Sequence, residues 1–225
     1  MSLTNNCQLS KGCIPTVSKH NTKSADHHCF LSCVVSNARS LKNKLSELHY
    51  MLYAQGPDII FVTETWLYEG FPDRLLDPRD SYNILRHDRT DGRGGGVCIF
   101  ISKHLTFVPV VTKEAENLEV VAVDIIVNRA KCRFVNVYRR PSSCPEDVVY
   151  ARNLVNYLQK VSAVAWTTIV VGYLNCPTID WSSLSCSRHY SRLRLRLWLR
   201  AVGNRTNERK QHSRCRVDQQ HLHYV

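Results

Sequence analysis

The spacing of apolar and polar positions predicts a strand, a helix and a second strand between Phe30 and Trp66. The run Phe30–Val35 is apolar, rich in β-branched side chains, and stops at Asn37. Four leucines then recur at helical spacing on one stripe: Leu41, Leu45, Leu48 and Leu52. Ser40 is placed to cap this helix, and Gly56–Pro57 is placed to end it. Ile59–Val62 is the next buried strand, and Glu64 follows it.

Asn37 and Glu64 each come after one strand of this strand–helix–strand unit. Such a unit joins two parallel strands, whose carboxyl ends meet at the same edge of the sheet. Functional sites of open α/β sheets lie at that edge. The sequence therefore predicts that Asn37 and Glu64 lie side by side in a site.

Further strands and one long helix follow in a mixed order. The segment Trp66–Asp80 is predicted to be a surface loop, and a turn is predicted at Arg89–Gly95. The predicted strands are Ser81–Arg86, Gly96–Ile101, Phe107–Val111, Leu118–Val127, Cys132–Tyr138 and Thr167–Val171. Between the last two, Ser143 and Glu146 have capping-box spacing around Pro145, and the helix runs to about Val161. Its predicted inner side carries Val148, Leu154, Val155 and Leu158. The order favours an α/β (α+β) fold of two packed sheets with helices outside.

Composition and charge place the protein in a broad class. The chain has 225 residues with 44% hydrophobic content, enough for one α/β domain. No apolar run is long enough for a bilayer span, and the first residues lack signal-peptide order, so an intracellular protein without membrane contact is expected. The net charge is +11, of which residues 182–225 carry +8. The positive charge therefore belongs to the C-terminal segment.

Four residues at strand ends are candidates for chemistry, each with an ordinary alternative. Glu64 suits a hard cation such as Mg²⁺ or is a solvated strand-end residue. Asn37 is a ligand or a turn former. Tyr138, followed by Arg139, suits a phosphate or is an edge-strand tyrosine. Asn175 follows Gly172 at a strand end and is turn-like when taken alone.

The joint order of these motifs resembles the endonuclease/exonuclease/phosphatase family. The matching segments are Asn37-Ala-Arg-Ser-Leu, Pro57-Asp-Ile-Ile, Thr63-Glu-Thr-Trp-Leu, Gly94-Gly-Gly-Val, Val137-Tyr-Arg, Val171-Gly-Tyr-Leu-Asn, Pro177 and Ile179-Asp-Trp. Within the family, the endonuclease domain of non-LTR retrotransposon (reverse-transcriptase) polyproteins is most similar. The resemblance covers about residues 30–181.

The resemblance implies a fold, a reaction and residue roles. The fold is a four-layer αββα sandwich with an incomplete C-terminal part, and the reaction is Mg²⁺- or Mn²⁺-dependent hydrolysis of DNA. The nick exposes a 3′-hydroxyl that primes reverse transcription. By the same resemblance Glu64 holds the metal with Asn37 beside it. Tyr138 contacts the scissile phosphate with Arg139 as a further phosphate ligand, and Asn175 helps place the nucleophile or the phosphate. No small-molecule cofactor is implied.

Three departures from the family pattern leave the activity open. Tyr173 stands where the family has an Asp that orients or deprotonates the attacking water, and a phenol of pKa near ~10 is a poor base at neutral pH. Arg140 stands where the family usually has Pro. The family's terminal Asp-His pair has no match, because none of the histidines after residue 181 follows an Asp. An active endonuclease and a decayed relative without turnover are both consistent with this pattern, and the pattern favours the decayed relative for this chain.

The C-terminal segment, residues 182–225, is predicted to be a basic tail that is read out of frame and disordered. Codons chosen for Arg192–Leu222 can encode, when shifted by one nucleotide, a string that resembles the family's next segment. Residues 1–28 are predicted to be a disordered lead-in, which leaves residues 29–181 as a partial domain. The genomic reading frame beyond about Ser185 tests this hypothesis.

Two alternative functions would depend on other residues. A non-catalytic nucleic-acid-binding protein could act through the Arg-rich stretch Arg192–Arg216, with steeply salt-dependent binding. Zinc binding would use His27, His28, Cys29 and Cys33, but their spacing is not that of a structural zinc site.

Overall fold

The computed structural model describes residues 31–127, 130–141, 145–175, 179–180, 185–186, 213–217 and 222–224. The strands in these ranges are β1 (Leu31–Asn37), β2 (Ile59–Thr63), β3 (Tyr82–His87), β4 (Val97–Ser102), β5 (Phe107–Pro109), β6 (Val120–Val127), β7 (Ala130–Tyr138), β8 (Thr167–Tyr173), β9 (Ile179–Asp180), β10 (Ser185–Cys186), β11 (Ser213–Val217) and β12 (Leu222–Tyr224). The α-helices are α1 (Leu45–Tyr50), α2 (Asp73–Leu76) and α3 (Pro145–Ser162). None of these helices has the length and apolar content needed to span a bilayer.

The strands form two mixed sheets and a short ribbon. The first sheet has the order β12-β11-β1-β2-β4-β3, and only β1 and β2 are parallel in it. The second has the order β5-β6-β7-β8, with β7 and β8 parallel. The ribbon pairs β9 with β10. The predicted parallel pair and antiparallel meander are both confirmed.

The two sheets pack face to face, and helices cover their outer faces. Between the sheets lies an apolar layer in which the rings of Phe61 and Phe134 stack, with their centroids 5.7 Å apart. On the outer face of the first sheet, Leu48 and Leu52 pack with the buried side chains of β2 and β4. On the second sheet, α3 contributes Leu154, Tyr157, Leu158 and Val161. The predicted four-layer order of helix, sheet, sheet and helix is confirmed.

The first predicted helix is broken into three short pieces, and its predicted cap is wrong. A 3₁₀ turn covers Leu41–Asn43, α1 begins at Leu45, and a π-helical turn covers Met51–Gln55 before Gly56 ends it with a φ of 56°. Ser40 makes no side-chain capping hydrogen bond because its φ of 87° belongs to a turn. The leucine stripe nevertheless faces the core: Leu41, Leu48 and Leu52 are buried, and Leu45 is partly buried against the same cluster.

Two further predictions are corrected. The segment Trp66–Asp80 is not a plain surface loop, since it contains α2 and buries Leu67, Phe71 and Leu76 against the first sheet. Val148 is 46% exposed and faces away from the core. The predicted capping residue Ser143 lies outside the described residues.

Part of the C-terminal segment forms strands. Strand β11 pairs antiparallel with β1 from Leu31↔Val217 to Val35↔Ser213, and β12 pairs with β11. Strand β10 also lies in this segment, so the prediction of disorder is not correct for β10, β11 and β12. The stretch Arg192–Arg200 and the lead-in 1–28 lie outside the described residues, and the out-of-frame hypothesis stays a prediction.

Candidate active site

Asn37 and Glu64 meet at the carboxyl end of the parallel pair. Asn37 is the last residue of β1 and pairs in register with Thr63, the last residue of β2. Glu64 follows directly, and the Nδ2 of Asn37 donates a hydrogen bond of 2.8 Å to its Oε1. The juxtaposition predicted from the strand ends is present.

The backbone around Glu64 is held on both sides. Its carbonyl accepts the amide of Ser40 at 2.9 Å, and the amide of Trp66 donates to the carbonyl of Gly95 at 2.9 Å. Glu64 has a φ of 52°, in the left-handed region. Non-glycine residues in this region carry strain that persists where the surroundings fix them, which occurs often at functional sites.

The glycines of the Gly94–Gly96 motif are required by close approach. All three have positive φ. A Cβ at Gly95 would overlap the side chains of Glu119 and Arg89, and a Cβ at Gly96 would overlap the hydroxyl of Thr65. The motif therefore lets this loop lie directly against the segment that carries Glu64.

Tyr138 brings a protonated phenol to Glu64. It ends β7, is 5% exposed, and its phenol lies close enough to the Glu64 carboxylate for that charge to act on its ionisation. Burial, and then the charge of Glu64, hold the pKa of Tyr138 well above its ordinary value. Tyr138 is thus a hydrogen-bond donor, not a phenolate, at neutral pH.

Tyr173 lies opposite Tyr138 in the parallel β7–β8 register. Burial, followed by the charge of Glu64, raises the pKa of Tyr173, while the guanidinium of Arg39 opposes the shift. The phenol therefore remains protonated at neutral pH and has no basic form there to accept a proton from water.

Arg139 and Asn175 hydrogen-bond to each other next to the strand ends that carry Tyr138 and Tyr173. Arg139 Nη1 donates to the carbonyl of Asn175 at 2.7 Å, and Asn175 Nδ2 donates to the carbonyl of Arg139 at 2.6 Å. Arg139 is 7% exposed. These hydrogen bonds hold the two residues together at the strand ends, and their predicted roles at the phosphate stay predictions.

Three site residues were not predicted from the sequence. Arg39 is exposed and close enough to Tyr173 to act on its ionisation. Arg89 and Glu119 form an ion pair beside the Gly94–Gly96 motif. Arg39 belongs to the Asn37-Ala-Arg-Ser-Leu segment, so the sequence could have indicated its place near the site. Nothing in the sequence spacing of Arg89 and Glu119 indicates that they form an ion pair.

A groove is lined in part by Trp66, two residues after Glu64. It has a volume of about 570 Å³, and its wall includes Lys42, Arg89, Arg93, Trp66 and Tyr68. The Arg93 guanidinium lies 5.8 Å from the centroid of the Trp66 ring. The Lys42 and Arg93 side chains form no ion pair with any described residue. The groove is therefore electropositive and partly aromatic.

The zinc prediction finds no support in the described residues. Cys33 is buried in β1, whereas His27, His28 and Cys29 lie outside the described ranges. Within those ranges no three His, Cys, Asp or Glu side chains converge as a metal cluster. Any metal at Glu64 would therefore bind through few protein ligands.

Comparison with known proteins gives the same fold. A search of the curated proteins found no match. Among solved structures, the chain is similar to the AP endonuclease LMAP from Leishmania major, with 18% identity, a TM-score of 0.55 and coverage of 74% of this chain and 62% of that enzyme. The chain thus spans less than two thirds of that enzyme's length.

Two further solved structures share this fold. The endonuclease domain of TRAS1, a telomere-specific non-LTR retrotransposon, is 16% identical with a TM-score of 0.51, and the match covers 72% of this chain and 68% of that domain. A point variant of the 3′ phosphatase NExo from Neisseria, bound to product DNA hairpin, is 16% identical with a TM-score of 0.53, covering 67% of this chain and 60% of that enzyme. The family model described as the Endonuclease/Exonuclease/phosphatase family matches residues 28–220. The chain belongs to the Endonuclease/Exonuclease/phosphatase family.

Proposed function

We propose that this chain is a divalent-metal-dependent DNA phosphodiesterase domain of the retrotransposon endonuclease type, impaired in turnover by Tyr173. The observation that supports it most is the hydrogen bond from Asn37 to Glu64, with the phenol of Tyr138 close enough to sense the Glu64 charge, at the ends of three strands. The nick such a domain makes would leave a 3′-hydroxyl to prime reverse transcription.

The donor set at Glu64 fits Mg²⁺ or Mn²⁺. The Oδ1 of Asn37 is buried and has no hydrogen-bond partner among the described residues. Together with the Glu64 carboxylate it offers oxygen atoms only, which hard cations prefer. Mg²⁺ characteristically binds one or two carboxylates and completes its shell with water and phosphate oxygens. When bound, the ion would offset charge on the phosphate and the leaving oxygen.

The protein's own groups orient the substrate. Asn37 fixes the carboxylate of Glu64 through its Nδ2, and Tyr138 keeps its phenolic proton to donate to a phosphate oxygen. Asn175 is held by Arg139 at the adjoining strand end. Neutral donors orient a phosphate without competing for the cation.

Tyr173 accounts for the proposed impairment. A carboxylate at this position could accept a proton from the attacking water, whereas the protonated phenol cannot. The loss of a general base typically costs about 10²–10⁴ in rate.

The groove supports DNA as the substrate. Cationic side chains track a phosphate backbone, and aromatic faces stack on bases. Lys42 and Arg93 supply the first feature, and Trp66 and Tyr68 supply the second.

Plasmid nicking tests the proposal. We expect slow, Mg²⁺-dependent conversion of supercoiled plasmid to nicked circles, abolished by Glu64→Ala and unaffected by a matched exposed carboxylate change, Glu69→Ala. Tyr173→Asp should raise the rate by about 10², the low end of the range for a general base. Nicking that survives Glu64→Ala, or a Tyr173→Asp variant that is folded but silent, would overturn the proposal.

A further inference from the structure

Glu119 lies directly before β6, on the chain segment facing both the Gly94–Gly96 motif and the end of β7. Its side chain is 12% exposed, and so is nearly removed from water. Neither the motif resemblance nor the proposed mechanism assigns it a role. Its contacts, however, extend to the two residues that the mechanism uses most.

The side chain of Glu119 holds the glycine loop. One carboxylate oxygen binds Arg89, whose Nε donates at 3.1 Å, and the other accepts the amide of Gly96 at 2.5 Å. The carbonyl of Gly96 in turn accepts the amide of Thr65 at 3.3 Å. Glu119 is therefore connected, through a single loop, to the residue next to Glu64.

The backbone of Glu119 holds Tyr138. The Tyr138 amide donates to the Glu119 carbonyl at 2.9 Å. The Tyr150 hydroxyl accepts the Glu119 amide at 3.1 Å and donates to the Tyr138 carbonyl at 3.2 Å. Arg89, held by the Glu119 carboxylate, has its guanidinium 5.9 Å from the centroid of the Tyr138 ring.

We propose that Glu119 is a positioning residue that sets the distance between the Glu64 carboxylate and the Tyr138 phenol. The two groups come from different sheets, since Glu64 follows β2 and Tyr138 ends β7. Glu119 bonds directly to Tyr138 and connects through Gly96 to Thr65, the residue next to Glu64, so the metal-binding oxygens and the phosphate donor keep one spacing. This inference rests on the proposed function, because it names what aligns that site.

A merely structural role for Glu119 makes a different prediction. A buried ion pair that only supports the fold would lower the melting temperature when removed and leave ligand affinity unchanged well below that temperature. A positioning role changes the affinity of the site itself. Outer partners of metal ligands typically contribute about 10–100-fold to metal affinity.

Mn²⁺ binding, measured by electron paramagnetic resonance of the free ion in the cold, separates these roles. We expect Glu119→Ala to weaken Mn²⁺ binding about tenfold. Glu119→Gln should lose less, because its amide oxygen can still accept the Gly96 N–H. The matched control is Glu114→Gln, which breaks the exposed ion pair with Lys160 and should bind Mn²⁺ as the unchanged chain does.

Hydrogen exchange supplies a second measurement without metal. Glu119→Ala should speed amide exchange in residues 64–66 while exchange in α3 stays unchanged, which also shows that the variant is folded.

The outcomes distinguish this inference from the proposed function. If Glu64→Ala loses Mn²⁺ binding but folded Glu119→Ala retains it, the inference about Glu119 is wrong and the metal site stands. If Glu64→Ala itself binds Mn²⁺ normally, the metal site of the proposed function is wrong, and Glu119 has no such site to align.

Discussion

Asn136 forms a polar link between the two sheets. We expect its replacement to lower the free energy of unfolding by a measurable amount. It lies in β7, is fully buried, and its Nδ2 donates to the carbonyls of Val62 at 3.0 Å and Cys98 at 2.9 Å. Both acceptors belong to the first sheet, in β2 and β4. The link crosses the mainly apolar layer between the two sheets, and it reaches β2 two residues before Glu64.

The structure sets the size of the effect. Asn136→Ala removes two buried hydrogen bonds, each worth about 1 kcal/mol net, and leaves two carbonyls without this donor, at about 1–3 kcal/mol for an unsatisfied group. The Asn136 Oδ1 has no partner among the described residues, so its removal recovers part of this cost. We expect the free energy of unfolding to fall by about 2–4 kcal/mol.

Asn136→Asp provides a second, pH-dependent measurement. A carboxylate facing two carbonyl oxygens in the core would be unpaired, so its pKa in the folded state would rise above the unfolded value of about 4. A raised folded pKa means that the variant is most stable below about pH 4 and loses stability as the pH rises. The native Asn136 has no charge and adds no such dependence.

Urea unfolding followed by circular dichroism measures both effects. The matched control is Asn83→Ala, a partly exposed asparagine in β3, which should stay within about 0.5 kcal/mol of the unchanged chain. If Asn136→Ala costs no more than this control, the two hydrogen bonds do not stabilise the packing of the sheets and the reasoning is refuted.

Three other predictions concern the core. Gly172→Ala should lower the free energy of unfolding in urea by about 3 kcal/mol or more, because Gly172 has a φ of 119° and a Cβ would overlap the carbonyl of Val137. A decrease below about 1 kcal/mol would contradict this reasoning. Burial raises the pKa of Tyr157 and of Tyr82 to about 12, so stability should fall as the pH rises above the unfolded value of 10.0. Tyr157→Phe should reduce this loss of stability above pH 10.0 by roughly 1 kcal/mol per pH unit. At pH 7 it should leave the free energy of unfolding unchanged, since the Tyr157 hydroxyl has no partner among the described residues. Tyr82→Phe should cost about 1–3 kcal/mol at pH 7 because its hydroxyl donates to the backbone carbonyl of Pro57 at 2.8 Å, and equal effects of the two variants would count against this assignment. Cys98 is fully buried with a raised pKa, so iodoacetamide should label it only after unfolding, as read by mass spectrometry; labelling of the native protein would contradict its burial.

The strand–helix–strand unit could be predicted because its signals are local. Alternation, helical spacing and the Gly56–Pro57 stop lie within one segment, and the geometry of a parallel pair then brings Asn37 to Glu64 without knowledge of the rest. The four-layer fold followed from the order of elements and from the family resemblance.

The remaining site contacts could not be predicted because they are set by packing over long separations. Arg89 and Glu119 are 30 residues apart, and each lies next to a strand of a different sheet, Arg89 after β3 and Glu119 before β6. Serine is a residue type that often caps helices, but Ser40 has a positive φ, and its backbone amide donates to the carbonyl of Glu64 instead. The inward side of α3 depends on how the helix rotates against the second sheet, which is why Val148 was placed wrongly.

The central claim is that Asn37 and Glu64 hold a divalent ion at the ends of β1 and β2. Anomalous diffraction from crystals of the chain soaked in Mn²⁺ tests this most directly. The account predicts an anomalous peak at coordination distance from the Asn37 Oδ1 and the Glu64 carboxylate. A Mn²⁺ peak elsewhere in the protein with none at these two side chains would contradict it.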